Sequence, residues 1–353
     1  MSRLPDQAET AGLVDSEGLA RFLEEKLPDH SGPFEIERLG QGQANLTFLI
    51  RGEGWELVLR RPPRGDLPPT AFDVTREYRV MRALHDHRAP VPVPAPLELC
   101  KDQEVIGAPF YLMDRVDGHV VRTELPTELS SLEDRGQMAH QLADTLAELH
   151  SLDYREIGLE GFGKPAGYLG RQLRRMNQLW ELARFREIPE IDQTAAWLSD
   201  NLPAESRHTV VHGDYKLDNV IFAPAAPARL IAVVDWEMST LGDPLADLGW
   251  MLYFWREPGD PELGLAASTV THLEGFPRRG QIMSRYSTRT KADTSRILWY
   301  VALAGWKIAI IMEGSYRRFK AGITDHPAFE ALEEAVPALA RRAALAARGE
   351  FEI

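Results

Sequence analysis

Across residues 34–61 (FEIERLGQGQANLTFLIRGEGWELVLRR) apolar and polar positions alternate in short runs broken by glycines, the period of successive antiparallel strands. A loop is expected at residues 66–69. From Ala71 the period lengthens: Val74, Tyr78, Met81 and Leu84 share one helical face, and the pattern stops at the proline-rich residues 90–96 (PVPVPAP). Two more strands are expected at residues 97–100 and 105–113, so the first third predicts a small sheet with one inserted helix. After Gly118 the pattern is mainly helical, with Met138, Leu142, Leu146 and Leu149 in phase, as are Leu169, Leu173, Met176 and Trp180. Short β-branched runs interrupt it between Val210 and Val234, with a hairpin loop at residues 223–228. Further helices are expected over residues 296–312 and 328–347.

These elements predict an α+β protein of two lobes: an N-terminal antiparallel sheet with one helix over residues 1–113, a linker at 114–118, and a larger, mainly helical part over 119–353. The chain has 353 residues, 40 Lys and Arg against 53 Asp and Glu, and a formal charge of -13. Such acidity repels phosphate backbones over most of the surface and argues against a nucleic-acid partner. Cys100 is the only cysteine, which excludes an intrachain disulfide and a thiolate-rich zinc site. Residues 1–10 lack an apolar signal core, and residues 300–312, interrupted by Lys307, fall short of a bilayer span. A cytoplasmic protein without membrane partners is expected.

The chemistry concentrates in residues 210–222, VVHGDYKLDNVIF, and 230–237, LIAVVDWE. Asp214 lies on a loop after an apolar run, Asn219 follows five positions later, and Asp235 ends the next apolar run. Phosphoryl transfer asks for such a set: one carboxylate to orient and deprotonate a hydroxyl, and oxygen ligands to hold magnesium against nucleotide phosphates. The spacing of His212, Asp214 and Asn219 is the H-x-D-x-x-x-x-N of kinase catalytic loops, with Gly213 in place of arginine. His212 is expected to brace the loop.

On these residues the chain resembles the aminoglycoside phosphotransferase family, which has a protein-kinase-like fold and also includes choline kinases. The likeness extends over most of residues 30–320. It implies an ATP- and Mg²⁺-dependent phosphotransferase acting on a hydroxyl of a small-molecule acceptor, with Asp214 as catalytic base, Asn219 and Asp235 as magnesium ligands, and Asp247 as anchor of the loop.

A kinase also needs a basic residue on its third strand and a helical carboxylate to orient it. Arg60 and Glu77 are the candidates; Arg61 is adjacent, but alternation with Val58 favours Arg60. Glu77 lies between Val74 and Met81 in helical phase, so it points inward and needs a cationic partner. Gly40 and Gly42, in LGQGQANLTF, would let the backbone approach a nucleotide, with Asn45 where a third glycine would complete GxGxxG. Met113 and Arg115 would then lie at the hinge, where backbone groups meet adenine. Two other motifs read as structural: residues 161–167 (GFGKPAG) as a loop, since no strand precedes them, and His85-Asp86-His87 as a solvated helix end.

Only six residues separate Asp235 from Gly242, leaving no room for the segment with which protein kinases hold peptides. A small acceptor is therefore expected. Arg171, Arg174 and Arg175 beside the apolar stripe of residues 168–181 resemble the branch of the family fused to acyl-CoA dehydrogenases, whose members act on hydroxyacyl-CoA thioesters. A hydroxyacyl-CoA acceptor and a non-catalytic nucleotide-binding pseudokinase are the competing expectations.

Overall fold

The computed structural model describes residues 12–39, 45–63, 73–205, 207–264, 269–324 and 327–353. Packing divides the chain into two compact units, Met1–Asp117 with Ala232–Ser239, and Gly118–Ile231 with Thr240–Ile353.

The first unit is built on a five-stranded antiparallel sheet of β1 (Phe34–Leu39), β2 (Leu46–Gly52), β3 (Trp55–Arg61), β4 (Pro96–Cys100) and β5 (Phe110–Asp114), ordered β1-β2-β3-β5-β4. Both faces are covered, so successive Leu57, Val58 and Leu59 of β3 are all buried. Phe48, Ile50, Leu57 and Leu59 pack with Leu19 and Leu23 of α1 (Ser16–Lys26). The strand period does not reveal α1; its marker is Asp15, whose carboxylate accepts the N–H groups of Glu17 and Gly18. The opposite face carries Val58 and Arg60 toward α2 (Val74–Asp86), capped by Asp73. Within α2 the buried stripe is Val74, Glu77, Val80, Met81 and Leu84, and Tyr78 is only half-buried. Residues 105–109, expected as strand, form a turn instead: Ile106 and Ala108 are buried without ladder pairing, and burial in a turn mimics a strand's composition.

In the second unit α3 (Leu132–Ser151), α4 (Tyr168–Ala183), α5 (Pro189–Asp200), α6 (Leu245–Phe254), α7 (Arg279–Thr290), α8 (Ile297–Lys320) and α9 (Leu332–Ala347) surround two small ladders. Strand β6 (Thr209–Val211) pairs with β9 (Thr240–Gly242), and β7 (Val220–Phe222) with β8 (Leu230–Val233). Helices α5, α6 and α7 lie outside the helices expected from the sequence. Helix α8 runs to Lys320, past the expected end at residue 312. By length and composition it is able to cross a membrane, yet 78% of its most apolar window is buried, as in a core helix. Its indoles tie it to α5: Trp299 donates to the carbonyl of Leu198 and Trp306 to that of Ile191. Helices α6 and α8 cross closely, since a Cβ at Gly249 would fall 2.5 Å from that of Tyr300.

Candidate active site

In the second unit the chain leaves β6 at Val211 and turns sharply. Gly213 adopts φ +88°, a conformation that a β-carbon resists, which accounts for glycine where protein kinases carry arginine. Asp247, in the first turn of α6 and 1% exposed, holds this turn. Its carboxylate accepts the N–H groups of His212 (2.6 Å) and Gly213 (2.8 Å) and lies 3.2 Å from His150 Nε2. His150 Nδ1 in turn meets the Tyr286 hydroxyl at 2.7 Å. Burial pushes the Asp247 pKa up, but hydrogen bonding and charge from His150, with His212 and the Gly213 amide, outweigh it and hold the group below the usual carboxylate value. His212 braces the loop by accepting the Asp214 N–H at Nδ1, 3.2 Å away.

Asp214 is thereby presented with both oxygens engaged. Oδ1 accepts from Trp250 Nε1 (2.8 Å), and Oδ2 from Asn219 Nδ2 (2.7 Å) and from Lys216 Nζ. Asn219 also donates to the Asp214 carbonyl at 2.8 Å. Its amide nitrogen is thus spent on the loop, leaving the amide oxygen as the group able to take a cation. Spacing alone does not single out Trp250 or Lys216. Trp250 has one local signal: three residues after Asp247, it shares that helix face.

In the first unit Arg60 meets Glu77, as strand alternation requires. Arg60 Nη2 lies 2.9 Å from Glu77 Oε1 and 3.2 Å from Asp235 Oδ1, with Glu237 at 4.0 Å. Arg61 points to the other face, where its guanidinium donates to the carbonyls of Pro62, Leu13 and Ile106. Asn45, at the expected third-glycine position, has a use for its side chain: Nδ2 donates to Glu77 Oε2 at 3.4 Å. Asp235 follows β8 with φ +68°, a left-handed conformation rare outside glycine and frequent where strain serves a site.

Among the described residues one guanidinium thus faces three carboxyl groups. Burial, then the charges of Asp235 and Glu77, push the Glu237 pKa up to about 8, and burial raises that of Glu77 against the pull of Arg60. The cluster is short of positive charge, and a divalent cation bound through Asp235 would supply it. Among the described residues no group of three or more His, Cys, Asp or Glu is placed to hold a metal. Glu237, two positions after Asp235, was not expected at the site.

Gly40 and Gly42 lie outside the described residues. Met113 sits inside β5, paired with Val58 on one side and Pro96 on the other, while Arg115 is the first residue past that strand and pairs through its guanidinium with Glu56. Residues 161–167 form a loop whose Lys164 and Ala166 carbonyls accept from Arg171, so Arg171 is committed to that loop. His85, Asp86 and His87 are exposed at the end of α2.

Lys307 is a further residue that spacing did not select. It is 7% exposed in the middle of α8, and burial pushes its pKa down to about 8 from 10.5. Asp247 and Asp214 favour the charged form, and Arg175 opposes it. Below pH 8 the fold carries a buried ammonium; between pH 8 and 10.5 the folded chain releases this proton while the unfolded chain keeps it. Stability is therefore expected to rise with pH across that window, by about 3 kcal/mol for this group. Denaturant unfolding of the wild type minus Lys307→Met, measured from pH 7.5 to 10.5, checks it; a flat difference would refute the shift.

Acyl-CoA dehydrogenase family member 11 of Gallus gallus is 36% identical over 319 residues, which cover 87% of this chain and 40% of the relative, so the chain spans about two fifths of that protein's length. A structure from Ralstonia eutropha, provisionally assigned as an aminoglycoside phosphotransferase, is 32% identical with a TM-score of 0.80, covering 95% of this chain and 99% of that one. A thermostable mutant aminoglycoside phosphotransferase, solved with AMP-PNP and hygromycin B, has a TM-score of 0.59 at 17% identity, covering 93% and 99%, and so shares the kinase-like α+β fold. Residues 35–280, containing both carboxylate clusters, match the phosphotransferase enzyme family, to which this chain belongs.

Proposed function

We propose that the chain is an ATP- and Mg²⁺-dependent kinase that transfers the γ-phosphoryl group to a hydroxyl of a small molecule. The observation that carries this reading is the loop of Asp214, with Asn219 and Lys216 bonded to its carboxylate and Asp247 anchoring its backbone. Residues 1–113 would bind the nucleotide and residues 119–353 the acceptor. Asp214 orients the acceptor hydroxyl and takes its proton as that oxygen attacks the γ-phosphorus; the bond to the β-phosphate oxygen breaks and ADP leaves. Lys216 lies against the same carboxylate and is suited to meet phosphoryl oxygens. Arg60, oriented by Glu77, holds the α- and β-phosphates. Asp235 and Asn219 would hold the metal ion through their side-chain oxygens, and the ion would supply positive charge against the nucleotide phosphates.

For the acceptor we favour a hydroxyacyl-CoA thioester. The similarity to acyl-CoA dehydrogenase family member 11 supports this. The test is Mg²⁺-dependent transfer from ATP to aminoglycosides, amino alcohols and hydroxyacyl-CoA compounds. Transfer to the thioesters alone is the expected result, transfer to another class would replace the acceptor, and nucleotide binding without transfer to any would favour the pseudokinase reading. Asp235→Ala is expected to lower Mg·ATP affinity at least about tenfold, since it removes a metal ligand. Calorimetric nucleotide affinity indifferent to both Mg²⁺ and this substitution would remove Asp235 from that role.

A further inference from the structure

Helix α8 is apolar through most of its length, yet its centre carries Lys307, more than nine-tenths buried. The ammonium lies 5.3 Å from the centre of the Trp250 ring, and no hydrogen-bond acceptor or carboxylate pairs with it among the described residues. Burying most of a lysine whose ammonium keeps a little access to solvent but has no paired anion is costly, and a methionine would fill the same volume without that cost. Packing therefore does not account for a lysine here.

The two nearby carboxylates are committed elsewhere. Asp247 is occupied by His212, Gly213 and His150, and Asp214 by Trp250, Lys216 and Asn219. The other charge bearing on Lys307 is a second cation, Arg175 of α4, the helix packed against α8. Arg175 is exposed and, unlike Arg171, has no ion pair or hydrogen bond among the described residues. Lys307 thus lies on the indole that holds Asp214, Arg175 adds a second positive charge from α4, and the missing component is an anion.

We propose that Lys307, with Arg175 at its rim, forms an oxyanion subsite next to Asp214 that takes a carboxylate or phosphate group. The Trp250 ring supports the ammonium on its face while its N–H holds Asp214, so an anion bound there sits at a defined position relative to the base. The anion has two possible sources, an acidic group on the acceptor or the phosphoryl group in transfer. That distinction rests on the kinase reading above; the subsite itself does not.

The test measures binding of inorganic phosphate and of 3-hydroxybutyrate to the full chain with Mg·ADP present, by calorimetry, for the wild type, Lys307→Met and Arg175→Met. Lys307→Met is expected to weaken at least one probe roughly tenfold or more and Arg175→Met by less, as loss of a buried and a rim charge requires. The melting temperature of Lys307→Met should rise, because a buried unpaired charge is removed; a purely structural lysine would lower it instead. Weakening confined to 3-hydroxybutyrate assigns the subsite to an acceptor with a free carboxylate, which a thioester lacks, and weakening confined to phosphate assigns it to a phosphate, that in transfer or one on the acceptor. Affinities for both probes that are absent in the wild type, or equal in the wild type and Lys307→Met, overturn it. Turnover of Mg·ATP by the wild type, measured separately, reports on the kinase reading whichever way the subsite falls.

Discussion

Asp214→Asn is expected to lower kcat by about 10²–10⁴ while KM for ATP stays within about threefold, the pattern of a lost general base. The amide keeps the shape of the carboxylate but loses the proton acceptor. It also has one acceptor oxygen where the carboxylate has two, against three donors: Trp250 on one side, Lys216 and Asn219 on the other. Whichever way the amide turns, a donor meets a donor, so some local rearrangement accompanies the loss of the base. Unfolding curves and Mg·ATP affinity measured on the same preparation separate the two effects. A variant that binds nucleotide and melts normally but fails to turn over has lost its base; one with unchanged turnover removes Asp214 from that role.

Asp247→Ala is expected to destabilise the second unit by about 3–5 kcal/mol, among the largest effects of any single change in this chain. The carboxylate is 1% exposed and bonds two backbone N–H groups and a buried histidine, so its removal leaves the His212 and Gly213 amides without an acceptor. Denaturant unfolding gives the magnitude. Turnover should fall as well, even far below the melting temperature, because these amides hold the turn that presents Asp214. A loss under about 1 kcal/mol would show that the anchor is dispensable. The pH dependence has a definite sign. The folded pKa of Asp247 lies below its ordinary value of 3.8, so its contribution is complete above that pH. As pH falls through the folded value the unfolded chain takes up the proton first and the contribution is lost. Asp247→Asn should flatten this acid limb.

Much of the fold follows from periodicity, because strand alternation and helical phase are local properties. The sheet of residues 34–61 and helices α2, α3, α4, α8 and α9 all follow from it. The elements it does not reveal have physical reasons of their own. Helix α1, capped by Asp15, precedes the segment that carries the alternation. The buried turn at residues 105–109 has the composition of a strand because its apolar side chains enter the core of the first unit, with Ile106 packed beside Leu19 and Leu23. In α2 the contact stripe includes Glu77, which a purely apolar count passes over in favour of Tyr78.

The division at the site is equally physical. Sequence alone determined what lies within a few residues or one period: Asp214 with Asn219 five positions on, Arg60 rather than Arg61 by alternation, and Glu77 turned inward by helical phase. In each case the backbone's own geometry dictates the neighbour. Tertiary structure decided what closes these groups off. Trp250 reaches Asp214 across 36 positions, Arg60 reaches Asp235 across 175, and His150 reaches Tyr286 across 136. It also placed Lys307, an interruption in an apolar run by sequence, against the indole that holds Asp214. No spacing rule links such residues, because their proximity depends on the loops and helix packing between them, and the burial that alters their proton affinities exists only once the chain has folded.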